Sequence, residues 1–302
     1  MAKHWAKHKE ILTGNLLLKI TLFLATKMPN FVLKIIVFMV VSVYFLFLKS
    51  KREYISEFRK KVANAGGFVK GGAYKNFYNF GITICDKIAI WVKKSDCYQI
   101  DRTNLDKIRS QLCTGKGKIL LTSHYGNIEI AKALVNELGK AKINIFMYRG
   151  NNAKFSDFIQ KISNDKINVF LVDELDITVM LNLQNLLENG EHIAIMADRV
   201  PLKSEKTISV NFLGKMANFS IGAYLIARIL KTEIYSFWCY KIGEKYKFEV
   251  IKLPDIGHEA DKIASIKPCV EGYVADLEAK CKADPDQWYN FFDFWGQGEK
   301  EL

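Results

Sequence analysis

The spacing of apolar positions changes character along the chain. From Arg52 to about Trp91 they recur at helical intervals, broken by the glycine-rich "NAGGFVKGGAY". That break reads as a flexible turn, because nothing in it has phosphate-loop spacing. After about Cys113 short branched runs take over: "KILLTS", "INIFMYR", "INVFLVDE" and "HIAIMADR". Between them lie the helical patterns "IEIAKALVNEL", "AKFSDFIQKIS" and "ITVMLNLQNLLENG". Strand and helix in this rhythm predict an α/β fold, a mostly parallel central sheet flanked by helices. Next come "ISVNFLG", a helix from about Ser220 to Leu230, and the runs "EIYSFWCYKI" and "YKFEVIKL". The turn Gly243-Glu244-Lys245 joins that last pair as a hairpin. A long helical segment with Pro268 near its middle and the aromatic stretch "DPDQWYNFFDFW" follow. There is no internal repeat and no low-complexity linker.

The most apolar stretch, "FVLKIIVFMVVSVYFLFL" from Phe31 to Leu48, is just long enough to span a bilayer but is interrupted by Lys34. Residues 1–30 form a basic amphipathic lead-in suited to a headgroup layer, and "ATKMPN" is a poor signal-peptide exit. The chain thus divides into a membrane-anchoring helical segment, 1–51, and an α/β domain, 52–302. Phe31–Leu48 spans the bilayer, lies in it or is buried core, and with cations both before and after it the positive-inside rule gives no clear orientation.

Composition narrows the partners. The formal charge is +12, which calls for an anionic one. Lys49, Lys51, Arg52, Arg59, Lys60 and Lys61 sit directly after the apolar stretch, which favours a membrane surface over nucleic acid. No nucleic-acid motif appears. The six cysteines form no C-x-x-C pair, which argues against a zinc site and a disulfide scaffold and for a reducing cytosol.

The candidate chemistry lies at "SHYGNIE". If "KILLTS" is a strand, His124 stands at its carboxyl end, where open α/β sheets gather reactive groups. Gly126 permits a sharp turn, Asn127 caps the following helix, and Glu129 lies on its first turn. A neutral imidazole steadied by a carboxylate removes a proton from a hydroxyl, which then attacks a thioester without any protein nucleophile. A strand-end histidine and a helix-start acid with no chemistry fit the same spacing. His4, His8, His192 and His258 have no acid at useful spacing; the first two suit an interface. Phe219, Ser220 and Gly222 open the "NFSIGAYLIARIL" helix, which packs as an apolar helix or lends its free amides to an anion.

"SHYGNIE" resembles the H-x-x-x-x-D/E signature of the lysophospholipid acyltransferase superfamily, and its nearest likeness is to the bacterial lipid A biosynthesis (late, or secondary) acyltransferases. "LLTSHYGNIE", "GEHIAIMADRVP", "VNFLGKMANFSIGAYLIARILK" and "DPDQWYNFFDFW" carry the resemblance in order, as does an N-terminal Trp with an apolar segment before a basic one. The resemblance implies a membrane-bound O-acyltransferase with His124 as general base and Glu129 as its partner. It implies Arg149 at the acceptor or a phosphate, and Asp198 and Arg199 orienting the acceptor or balancing charge on the thioester oxygen. Gly126 and Asn127 join the substrate contacts, with oxyanion donors expected near Gly126, Arg149 or Arg199. The donor would be acyl carrier protein or acyl-coenzyme A, the acceptor a glycolipid among inner-membrane lipids, and the location the cytoplasmic face of the bacterial inner membrane. No metal or redox cofactor is required. A lipid A precursor is the default acceptor; an aryl polyene-type glycolipid, a lysophospholipid, or an inactive membrane-surface adaptor are the alternatives. "MADRVP" lacks the Glu-Gly pair of glycerolipid members, and Thr232-Glu233 stands where the fourth block has a proline.

Overall fold

The computed structural model describes residues 23–24, 27–92, 99–131, 138, 141–148, 169–172, 176–200, 206–257 and 259–296. Most of the lead-in, Arg149, the "AKFSDFIQKIS" segment, His4, His8 and His258 lie outside them.

The runs predicted as strands form the central sheet. In chain order the described strands are β1 (Gln99–Ile100), β2 (Ile119–Thr122), β3 (Ile143–Tyr148), β4 (Val169–Val172), β5 (His192–Met196), β6 (Thr207–Phe212), β7 (Lys215–Ser220), β8 (Ile234–Ile242) and β9 (Lys245–Lys252). Seven of them make one sheet in the order β1-β9-β8-β2-β5-β3-β4. From β8 through β4 every pairing is parallel, and the β8–β9 hairpin turns the last edge around. Ile242 pairs with Lys245, so the hairpin loop is Gly243-Glu244, with Gly243 at φ 60°.

Both faces of this sheet are covered, which is why its strands read as unbroken apolar runs rather than alternating ones. Ile119 and Leu121 of β2 and Trp238 and Tyr240 of β8 enter one core cluster, together with α5 (Ile177–Glu188), α6 (Gly222–Leu230) and α7 (Lys262–Ala283). Leu120, Phe237 and Cys239 point the other way, against α4 (Leu105–Leu112).

One expectation fails between β6 and β7. The residues "KMANFS" form a second strand, paired antiparallel with β6 in a separate two-stranded sheet, and α6 starts only at Gly222. Leu213 and Gly214 turn this hairpin at φ 54° and 80°, a left-handed pair that Leu rarely adopts. The Leu213 amide is held by Glu278 Oε2 at 2.7 Å. Phe219 is therefore a buried core ring rather than a helix-start residue, and Ser220 Oγ faces the Gly222 amide at 3.5 Å.

The N-terminal helices form a third layer. The apolar stretch is α1 (Asn30–Phe47), followed by α2 (Lys49–Asn64) and α3 (Ala73–Val92). Val37 and Val41 of α1, Ile55 of α2 and Phe77 and Ile88 of α3 share one cluster, and residues 51 and 52, where the sequence divides the chain, both lie inside α2. Gly81 makes the α1–α3 contact close, since a Cβ there would lie 2.8 Å from Val37. The opposite side of α1 exposes Phe31, Ile35, Phe38, Met39, Val43 and Phe47. Lys34, which interrupts the apolar run, reaches Glu244 in the β8–β9 turn at 3.5 Å.

The glycine-rich loop after α2 is pinned rather than loose. Buried Arg59 donates to the carbonyls of Lys70 and Gly71, to Asn76 Oδ1 and to the Asp286 carboxylate. Phe68 N donates to the Lys282 carbonyl. A buried guanidinium is tolerable only because each of these acceptors meets it. The consequence is that Asp286, at the start of the aromatic tail, is fastened to α2.

Candidate active site

Two strand ends meet at the carboxyl edge of the sheet. In the β2–β5 register Thr122 stands opposite Met196, so His124 and Asp198 each lie two residues beyond a paired strand end. The Ala197 amide donates to the Thr122 carbonyl and continues that pairing. His124 Nδ1 lies 2.9 Å from Asp198 Oδ1, and the His124 backbone amide donates to Asp198 Oδ2, also at 2.9 Å.

Asp198 is 1% exposed and receives a third bond from Trp288 Nε1 at 3.2 Å. Burial alone would push its carboxyl up, but His124 and Arg199 outweigh it and hold the carboxyl at about 2. An ionised carboxylate can only accept, so Nδ1 carries the imidazole proton. Nε2 is left with a lone pair. The imidazole itself is lowered below its ordinary value, by burial and then by the charge of Arg199, with Asp198 opposing both. The ring stays neutral at physiological pH, and its side chain remains 26% exposed. A neutral, partly accessible imidazole whose Nε2 has no partner among the described residues is equipped to take a proton.

The carboxylate expected from spacing stands elsewhere. Glu129 lies on a 3-10 turn, Ile128–Ile130, and forms an ion pair with Lys87 of α3. Lys87 in turn contributes to the lowering of His124. Asp198, expected among the acceptor contacts, is therefore the group that fixes the imidazole's tautomer in this structure.

Asn127 also departs from expectation. Its side chain makes no cap bond to the turn that follows; it is 2% exposed and donates to the Thr83 carbonyl at 3.3 Å. Gly126 has φ 74°, and a Cβ there would come within 2.0 Å of the Cys239 carbonyl oxygen. Glycine is demanded by the sharp turn and by this close approach to β8. Its amide is engaged by the Gln287 carbonyl at 2.9 Å, and the Asn127 amide by the Cys239 carbonyl at 2.7 Å. The Tyr125 amide bonds Ser123 Oγ. With the His124 amide on Asp198, every backbone donor from His124 to Asn127 is committed inside the protein. None of these four amides, that of Gly126 included, can serve an oxyanion without giving up its present bond.

The far wall of the site is the aromatic tail. Tyr125 and Trp288 form an antiparallel bridge, and the Tyr289 amide donates to the His124 carbonyl at 3.0 Å. With the Gly126 amide on the Gln287 carbonyl, these bonds lay the tail along the His124 loop almost as an added strand, and the Gln287 side chain exchanges two further bonds with the Lys241 backbone of β8. Trp288 is fully buried, with Phe58 at 4.7 Å, Phe294 at 4.9 Å and Phe212 at 5.5 Å between ring centres. Arg199 completes the wall: it donates to the Tyr289 carbonyl at 3.1 Å and lies 5.2 Å over the Phe292 ring. The part of Trp288 and Tyr289 in the site comes from tertiary packing and is not among the sequence expectations. The signal for it is "QWYNFF", an aromatic cluster too dense for a solvated segment.

His192, the first residue of β5, sits at the opposite end of the sheet and is fully buried. Its Nδ1 accepts from the Lys118 amide at 3.1 Å and its Nε2 donates to the Leu112 carbonyl at 2.8 Å. It has no carboxylate partner among the described residues.

No curated protein matches the chain. The profile described as bacterial lipid A biosynthesis acyltransferase matches residues 73–296, a span that holds the sheet, the His124–Asp198 pair and the aromatic tail. The chain belongs to that family, and it is an acyltransferase.

Proposed function

We propose that the protein moves a fatty acyl chain from an acyl thioester, carried by acyl carrier protein or coenzyme A, to a hydroxyl of a membrane glycolipid, a lipid A precursor. His124 Nε2 takes the hydroxyl proton while Asp198 steadies the imidazolium, and the oxygen attacks the thioester carbonyl. As the tetrahedral intermediate collapses, the C–S bond breaks and the imidazolium returns its proton to the departing thiolate. With the amides of the His124 loop committed, the negative charge on the carbonyl oxygen falls to the positive field of Arg199 and Lys87, the two cations whose charge lowers His124. Glu129 acts through Lys87 and sets how much of that field reaches the imidazole. Arg149, next in sequence after β3, would serve the acceptor.

The observation that carries this reading is the 2.9 Å contact between His124 Nδ1 and an ionised Asp198, which leaves Nε2 as a base, in a chain matched by this family. An in-plane rather than crossing α1 is supported by its packing on α3 and by the Lys34–Glu244 pair, which ties it alongside the α/β domain. The exposed face of α1 would then lie in the cytoplasmic leaflet of the inner membrane.

Mass spectrometry of envelope lipids from cells with and without the gene should show one acyl chain missing from a glycolipid. In purified protein, His124→Ala should lower thioester-dependent turnover on the order of 100-fold or more. Equal turnover in the two proteins refutes the base assignment.

A further inference from the structure

The family match begins at residue 73, and α2 lies before it. Two adjacent residues of α2, Phe58 and Arg59, nevertheless reach the aromatic tail, one at Trp288 and one at Asp286. The terminal nitrogens of buried Arg59 serve four acceptors: Asp286 Oδ1 and Asn76 Oδ1 on one, the carbonyls of Lys70 and Gly71 on the other. A guanidinium only donates, so it turns the oxygen of Asn76 towards itself. Asn76 Nδ2 is then left to donate to the Pro285 carbonyl at 2.7 Å. Pro285 and Asp286 are thus both fixed through Arg59, the first by way of Asn76 and the second directly. Lys75 also pairs with Asp286, from a side chain that is half exposed, and Asn79 adds a longer bond of 3.3 Å to the Asp286 carbonyl.

The next three residues make the contacts of the site. The Gln287 carbonyl takes the Gly126 amide, Trp288 Nε1 donates to Asp198 at 3.2 Å, and the Tyr289 amide donates to the His124 carbonyl. Trp288 stands two residues from Asp286, so the Arg59 anchor decides where along the sheet edge the indole falls. A bond of 3.2 Å is already long for N–H···O, and a slip of about 1 Å breaks it. Asp198 would then lose one of the donors that hold it against the imidazole, and a misplacement of that size at a reacting group can cost on the order of 100-fold in rate. We propose that Arg59 is a positioning residue for acyl transfer: its buried pair with Asp286 sets the register of the aromatic tail in which Trp288 Nε1 meets Asp198. Lysine in its place would keep the charge but lose the planar fork that faces the carboxylate, the amide and the two carbonyls together. The proposal rests on the acyl-transfer reading above and adds to it a residue, before the matched span, on which the His124–Asp198 pair depends.

The test measures acyl-transfer kinetics per folded molecule in wild type, Arg59→Gln, Arg59→Lys, Trp288→Phe and the double variant Arg59→Gln/Trp288→Phe. Arg59→Gln should lower kcat about tenfold or more and leave KM for donor and acceptor within about twofold. Because Arg59 acts through the indole, the double variant should be no slower than the slower single variant, within about twofold; losses that multiply overturn the proposal. Arg59→Lys keeps the buried charge and so spares folding, and should show the same fall in kcat alone at about threefold. Wild-type turnover in Arg59→Lys overturns the proposal. His192→Gln, a buried change at the other end of the sheet, should keep wild-type kcat; a fall equal to that of Arg59→Gln would make general loss of stability the cause and overturn it too. The Trp288 indole proton can be identified by NMR of the detergent-solubilised protein, from its absence in Trp288→Phe. It should move in both Arg59 variants as it does in Asp198→Asn, and an unmoved resonance overturns the proposal. That resonance is read without turnover, so failure of acyl transfer and failure of the Arg59 anchor are separate results.

Discussion

Two histidines stand at opposite ends of one sheet and are built for opposite ends. His192 opens β5 with both ring nitrogens bonded to backbone and no surface exposed. His124 follows β2 with one nitrogen on a carboxylate and the other without a partner among the described residues. Both are lowered below the ordinary imidazole value, with burial the first cause in each. Depression alone therefore does not mark a catalytic base. What separates them is the second nitrogen: a ring satisfied on both sides is a structural bracket, and a ring steadied on one side is available for chemistry.

Breaking the steadied side should have the largest effect. In Asp198→Asn, an amide NH2 facing Nδ1 forces the imidazole to accept there, which moves its proton to Nε2 and removes the base. The other orientation points NH2 at both the His124 amide and Trp288 Nε1. Either conflict should cost on the order of 100-fold in kcat. Turnover within threefold of wild type would show that Asp198 does not hold the catalytic tautomer.

The bracket should fail through stability, not rate. Burial drops the His192 imidazole to about 4. Between its ordinary value of about 6.5 and that lowered one, the unfolded chain binds a proton that the folded chain refuses. Its contribution is complete above the unfolded value and is lost as pH falls through the window, on the order of 3 kcal/mol by the bottom of it. Thermal melts in detergent at pH 7 and pH 4.5 should show that loss in wild type, and His192→Gln should flatten it while leaving turnover per folded molecule unchanged. A slope of the same size in both proteins would acquit His192.

The smallest expected change sharpens the comparison most. Glu129→Gln keeps a hydrogen-bonding partner for Lys87 but removes its charge, and should cost less than about tenfold in kcat. If it costs more than Asp198→Asn, the acid expected from sequence spacing is the working one after all.

That contest shows where sequence reading stops. His124 was legible because a strand ending in Ser-His-Tyr-Gly is a local pattern, and the β8–β9 hairpin because Gly243 is a local turn signal. Asp198 as the partner was not. It is separated from His124 by β3 and β4, and only the strand order, with β2 beside β5, aligns the two exits. Register between non-consecutive strands is a tertiary fact that no spacing encodes. Glu129 was the nearest acid along the chain, and local proximity outvoted a contact that only the folded sheet creates. The β6–β7 turn was missed for a different reason. Leucine at Leu213 carries no turn chemistry, and its left-handed backbone is sustained by a bond from α7, far along the chain.

The wall behind the imidazole also fixes when the site can exist during synthesis. Trp288 and Tyr289 emerge from the ribosome long after α1 and His124 have done so. A nascent chain therefore carries the imidazole loop before it has the indole that bonds Asp198 or the tail amide that bonds the His124 carbonyl. The His124–Asp198 pair gains its full set of bonds only when the aromatic stretch docks, so translation order makes this corner of the fold one of the last to close.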